Sequence, residues 1–119
     1  MDLFSRSLPT IEGKCRVKVV GESNYQPALL SVVGIERVDG RVLLECSADL
    51  KPEPSNPYDS NAIRVEIERE RVGYLSRDDA VAYASVVGRG VRCPAVIAGG
   101  GDDLSHQMLG VSLWLPAAE

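Results

Sequence analysis

The sequence predicts a mostly β domain with two helices. Three observations carry that prediction. Period-two alternation of apolar and polar residues recurs along the chain, most cleanly over Lys14–Val20, Arg41–Leu50, Ala62–Glu68 and Met108–Leu115. Two other segments drop that period and carry helix start and stop signals. With 119 residues there is room for one domain with one modest core.

In chain order, Met1–Gly13 shows no period and reads as a flexible lead-in. From Lys14 the alternation sets Cys15, Val17 and Val19 on one side and Lys14, Arg16 and Lys18 on the other. Those three cations are open to two readings: a solvated edge protected from aggregation by lysine, or a stripe that tracks phosphates. Ser23 and Gln26 have capping-box spacing, Pro27 suits a first helical turn, and Tyr25, Leu29, Val32 and Val33 form an apolar face. This predicts one short helix near Tyr25–Val33, with Gly34 as its stop. Asp39-Gly40 signals a hairpin turn after Ile35–Val38. In the long strand that follows, Val42, Leu44, Cys46, Ala48 and Leu50 face one side.

Next comes a dense run of turn residues, Pro52-Glu53-Pro54-Ser55-Asn56-Pro57-Tyr58-Asp59-Ser60-Asn61. Pro57 presets φ, and Asn56 is suited to bonding the backbone ahead of it. The alternation of Ile63, Val65 and Ile67 begins at once afterwards, so a rigid polar loop is clamped to the start of a core strand. Such a loop can hold Tyr58 and Asp59 in a fixed pose. Glu68–Arg71 reads as a charged turn, and Gly73 in the short strand after it predicts a bulge or a close backbone approach. Ser76 caps a helix of about three turns over Arg77–Val87, with Ala80, Tyr83, Ala84 and Val87 on one face and Gly88 as its end. Val91–Ala98 is a strand in which Pro94 predicts an edge or a bulge. Gly99–Asp103 reads as a mobile hairpin loop, and Leu109, Val111, Leu113 and Leu115 alternate in the closing strand.

Several segments together resemble the signature of the HIRAN domain: Glu53-Pro54, Asn56-Pro57-Tyr58-Asp59, Asn61-Ala62-Ile63-Arg64-Val65 and Val72-Gly73-Tyr74-Leu75. Val20–Gln26 resembles the opening of that family, and Cys93-Pro94-Ala95 with Gly99-Gly100 is similar to the closing segment of standalone bacterial members. The resemblance implies a small OB-like or SH3-like β-barrel over residues 14–116, after the lead-in 1–13 and before a tail at 117–119. It also implies a role in DNA transactions such as repair. In HIRAN domains of replication-fork-remodelling helicases, a Tyr-Asp pair works at the 3′ end of a single strand: the aromatic stacks on a base and the carboxylate accepts from the terminal hydroxyl. The matching positions here are Tyr58 and Asp59, and Arg77 matches a basic position able to meet a phosphate. The sequence departs from that pattern at Ser23 and Asn24, where DNA-binding members carry a basic residue and an aromatic. Tyr25, one position on, is a substitute aromatic. With Lys14, Arg16 and Lys18, these are the candidate nucleic-acid-binding residues. The bland alternative packs Tyr58 on the barrel and turns Asp59 onto its own loop backbone.

Composition limits what else the chain does. Thirteen Lys and Arg stand against 17 Asp and Glu, a net charge of −4 that does not suit bulk electrostatic binding of duplex DNA. One His is too few for a histidine metal centre, and His106, in an expected hairpin loop, makes no case for Ser-His or Cys-His catalysis. The Gly99–Gly101 cluster lacks the lysine and the helix of a phosphate-cradling loop. No cofactor, metal site or enzyme activity is expected. Cys15, Cys46 and Cys93 are expected to be reduced and mostly buried, as in a cytoplasmic protein, and no segment reads as a membrane span. Two functions remain: a module that recognises single-stranded DNA ends, or a protein-interaction module that binds no nucleic acid.

Overall fold

The computed structural model describes residues 8–34, 41–100 and 108–118. In chain order they form β1 (Cys15–Lys18), a 3₁₀ turn (Glu22–Tyr25), α1 (Gln26–Val33), β2 (Arg41–Pro52), β3 (Ile63–Ile67), β4 (Glu70–Tyr74), α2 (Arg77–Val87), β5 (Val91–Gly100) and β6 (Leu109–Leu115). The six strands make one sheet in the order β1-β6-β5-β2-β3-β4, with every neighbouring pair antiparallel. The β2–β5 ladder, from Arg41↔Gly100 to Leu50↔Val91, is its longest. The two outer strands approach each other, and Val20 and Tyr74 exchange backbone bonds of 2.8 and 2.9 Å. That single bridge, rather than a continuous ladder, joins the ends of the sheet, so the expected barrel is a curled sheet that does not fully close.

The alternation read from the sequence sorts the side chains as expected. Val17, Val19, Leu50, Val65, Ile67, Ile97, Val111, Leu113 and Leu115 all face the core and are buried. On the other face of β2, Leu43 is 81 % exposed. Leu29 and Val33 of α1 and Ala80, Tyr83 and Val87 of α2 complete the same core. Ala84, expected on the buried face of α2, is exposed. Its small side chain lies at the margin of the stripe, and no element among the described residues covers it.

Helix α2 starts as its sequence dictates. Ser76 Oγ accepts from the Asp79 N–H at 3.1 Å, and Asp78 and Asp79 lie in the first turn, where the helix dipole favours anions. Gly88 ends it at φ 54°, a left-handed turn that favours glycine. The start of α1 differs from expectation: Ser23 makes no cap. A 3₁₀ turn precedes the helix, and Gln26 bonds elsewhere. Its side-chain amide donates to Leu109 O and accepts from Leu109 N–H, both at 2.9 Å, as a paired strand would. The pull of that tertiary pair replaces the local capping box.

Both alternatives read at Gly73 are realised. The β3–β4 register shifts between Val65 and Glu66, and a Cβ on Gly73 would collide with the Val19 side chain and lie 2.6 Å from Val20 O. Glycine here lets β4 reach the Val20 bridge. The charged turn between β3 and β4 places Glu68 and Arg69 at φ 51° and 69°, the double left-handed geometry of a tight hairpin, in residues other than glycine.

β5 is an interior strand, which corrects the edge expected from Pro94. The sheet spares the proline nonetheless. Pro9 O and Ile11 N–H bond Arg92 on the flank where β6 later pairs, and the β6 ladder begins only at Ala95. Pro94 lies between these two partners, where no ladder needs its missing N–H. The end of the lead-in is therefore tied to the sheet at Thr10. Gly99 and Gly100, expected in a loop, belong to β5; the remainder of that loop and the Asp39-Gly40 turn lie outside the described residues.

Cys93 is buried, Cys46 half-buried and Cys15 exposed, and all three are free. The exposure of Cys15 corrects the expectation that all three would be mostly buried. It opens β1 at the end of the sheet, where alternation sets the direction of a side chain but not whether anything covers it. Burial, then the charge of Asp49 and the nearby Cys46, push the Cys93 thiol up to about 12. Among the described residues no helix is long and apolar enough to cross a membrane, and no group of metal-ligating side chains comes together.

Candidate functional site

The loop between β2 and β3 is built by its own polar side chains. Asn56 Oδ1 accepts from the N–H groups of Tyr58 and Asp59 at 2.8 and 3.1 Å, the turn its residue type predicts. Its Nδ2 donates to Glu53 Oε1 at 2.8 Å. Asp59 Oδ1 accepts from Asn61 N–H at 2.9 Å, and backbone bonds Glu53 N→Ala62 O and Ala62 N→Asp59 O close the base. The loop is pinned, yet the Tyr58 side chain it carries is left in solvent: the residue is 87 % exposed.

Arg77, on the first turn of α2, fastens the loop from outside. Its Nη2 donates to Tyr58 O at 2.9 Å and its Nε lies 3.7 Å from Asp59 Oδ2. The arginine side chain remains 76 % exposed and the Asp59 side chain 21 %. Tyr58, Asp59 and Arg77 are thus brought together.

Behind the loop stands a hub that the sequence reading did not single out. Glu53 accepts at Oε1 from both Asn56 and the Tyr74 hydroxyl, the latter at 2.9 Å. Its Oε2 lies 3.5 Å from Arg71 and 3.7 Å from Arg64. Burial pushes this carboxyl up, but the bonds from Asn56 and Tyr74 and the charges of Arg71 and Arg64 outweigh it. They hold Glu53 below the ordinary glutamate value. For Tyr74, burial and then the bond to anionic Glu53 push the phenol up to about 12. Arg71 lies 5.8 Å from the Tyr74 ring centre. Hydrogen bonding to Tyr25 is the largest of the effects that raise its ordinary value. Tyr25 is half-buried, while Ser23 and Asn24 beside it are exposed.

Arg64, Arg71 and Tyr74 escaped notice because alternation marks them only as outward residues. The β3–β4 register that sets Arg64 opposite Tyr74 is not a local property. The available signal was the quoted motif itself, which holds Glu53, Arg64 and Tyr74.

Lys14, Arg16 and Lys18 are exposed and belong to or flank β1. Among the described residues none touches the Tyr58 loop; Arg16 Nε bonds Ser112 Oγ at 3.0 Å.

No curated protein matches the chain. Among solved structures, the crystal structure of the HIRAN domain of human HLTF is similar, with 25% identity over 90% of this chain and 79% of that one and a TM-score of 0.38. The family model for the HIRAN domain matches residues 14–115. That match takes in β1, the Tyr58 loop, Arg77 and β6, and the chain belongs to the HIRAN domain family.

Proposed function

We propose that this chain is a binding module for nucleic acid that reads the 3′ end of a single strand at the Tyr58 loop. Family membership supports nucleic-acid binding in general. The observation that carries the finer reading is Tyr58 itself, a solvent-exposed aromatic on a loop that Asn56 and Arg77 hold still. A ring presented in this way is a stacking platform for a terminal base of any identity. Among the described residues, Asp59 Oδ2 has only the long ion pair to Arg77, so it is open to accept from a terminal hydroxyl. Arg77 then meets the adjoining phosphate. A phosphate at the terminus itself would set a dianion against Asp59, so the pair selects a free 3′ hydroxyl.

Short single strands ending in a 3′ hydroxyl and in a 3′ phosphate test this directly. The hydroxyl end binds more tightly; Tyr58→Ala loses about 1–3 kcal/mol on every sequence alike; Asp59→Ala weakens the hydroxyl end and narrows the difference between the two. One to three neutralised phosphates give a shallow salt dependence, with a slope of about −0.7 per phosphate.

The net charge of −4 and the uncharged, exposed Ser23 and Asn24 favour a second reading, a protein-interaction module on the same fold. Under it, neither end binds even at low salt, where electrostatic attraction is greatest, and Tyr58 is a contact for a protein.

A further inference from the structure

Outside the Tyr58 site, the outer face of β1 and β6 sets a row of cations beside an aromatic. Cross-strand pairing sets Arg16 opposite Trp114 and Lys18 opposite Ser112. Trp114 is half-buried and borders a shallow cavity of about 390 Å³ with Pro94 and Val96 of β5. Among the described residues, Arg16 uses one of its five donors, on Ser112 Oγ, and has the rest for a ligand. An aromatic beside an exposed row of cations fits a ligand that alternates flat apolar rings with negative charges, which describes a nucleic-acid single strand. Glu45 lies across this face, opposite Val96, so an anion is favoured on the β1 side and not on the β2 side.

This face is continuous with the Glu53 hub behind the Tyr58 loop. Lys14, Arg16, Lys18 and Val20 alternate outward along one segment, and Val20 pairs with Tyr74, which pairs in turn with Arg64. Paired residues share a face of the sheet. The surface therefore runs without a break from Arg64 and Tyr74 across Val20 to Lys18 and Arg16. From Val20 to Arg16 is about 13 Å of extended chain, at about 3.3 Å per residue.

Resting on the strand-end reading above, we propose that the outer face of β1 and β6 is a second contact for the same single strand. Lys18, Arg16 and Lys14 follow its phosphates, and Trp114 stacks on a base several nucleotides 5′ of the end held at Tyr58.

Trp114 is the only tryptophan of the 119 residues, so its fluorescence reports this face alone. Oligothymidylates of two and eight nucleotides, each with a 3′ hydroxyl, are titrated into the full chain. The expected result is binding of both, quenching of Trp114 by the eight-mer only, and an affinity for the eight-mer about fivefold to a hundredfold higher. Replacing both Arg16 and Lys18 by Gln, at exposed positions that leave the core intact, lowers the salt slope of the eight-mer by about 1.4, or two phosphates at about 0.7 each. The same change leaves the two-mer unaffected. If the eight-mer binds no better than the two-mer and Trp114 fluorescence does not change, the β1–β6 track is refuted while end recognition stands. If an eight-mer ending in a 3′ phosphate, titrated alongside, quenches Trp114 over the same concentrations as the hydroxyl eight-mer, the track is supported and the end reading is removed. Failure of both oligonucleotides to bind at low salt overturns both.

Discussion

The Tyr58 loop and the β1 strand each carry exposed residues suited to a ligand, but they are held in place by opposite means. The loop has no apolar side chain anchoring it between Glu53 and Asn61; its shape is a set of bonds from Asn56, Asp59, Glu53 and Arg77 to backbone and to one another. β1 presents Arg16 and Lys18 because Val17 and Val19 are buried beneath them and β6 pairs alongside. A polar lattice gives a fixed pose to a single ring, at the risk that one lost side chain loosens it. A buried alternating strand gives a row of charges that no single surface change disturbs.

The largest effect that would break this contrast lies under β1. Leu113 is fully buried and pairs with Val17 on one side and Ala95 on the other. Leu113→Ala should cost about 2–5 kcal/mol in denaturant unfolding, because it removes core contacts and leaves a cavity. It should lower the unfolding midpoint of the whole domain, the loop included.

Glu53→Gln comes next and should act on the loop. Arg64 and Arg71 lose their shared anion, at a cost of about 1–3 kcal/mol. The pH dependence carries the sign. Glu53 titrates below its ordinary value of 4.5 when folded, so its stabilisation is present above that pH and is lost as pH falls through the folded value. Tyr74 titrates above its ordinary value of 10.0, at about 12, so its contribution is present below pH 10 and is lost as pH rises through 12. In Glu53→Gln the acid limb flattens. A variant with an unchanged acid limb would show that Glu53 is not the carboxylate that matters there.

Asn56→Ala should cost about 1 kcal/mol, since Tyr58 and Asp59 N–H groups then turn to water. Its more telling consequence is dynamic: amide exchange at Tyr58 and Asp59 should quicken while exchange in β2 and β3 stays the same. Equal protection in the variant and the parent would mean that the Asn56 bonds do not hold these two amides. The smallest effect is at β1, where Lys18→Ala should change stability by no more than about 0.5 kcal/mol. A larger loss there would show that β1 depends on its charges and would erase the distinction between the two regions.

The sequence by itself determined the face of each strand, because side chains alternate whatever the strand pairs with, and it determined the cap of α2, because Ser76 and Asp79 meet within one turn. It also determined the Asn56 turn, whose donors and acceptor are three residues apart or fewer. Tyr58, Asp59 and Arg77 were legible as candidates through the family motif, although their mutual contact was not. Tertiary structure alone decided what depends on distant pairing. Gln26 abandons a local cap for Leu109, 83 residues away. Pro94 falls in the interior of the sheet at a gap between two partners from opposite ends of the chain. Glu53 finds Tyr74 only because β3 pairs with β4 in a shifted register. Local patterns record a residue's own preferences, whereas strand order and register arise from the joint burial of the whole core, and no short stretch of sequence contains that information.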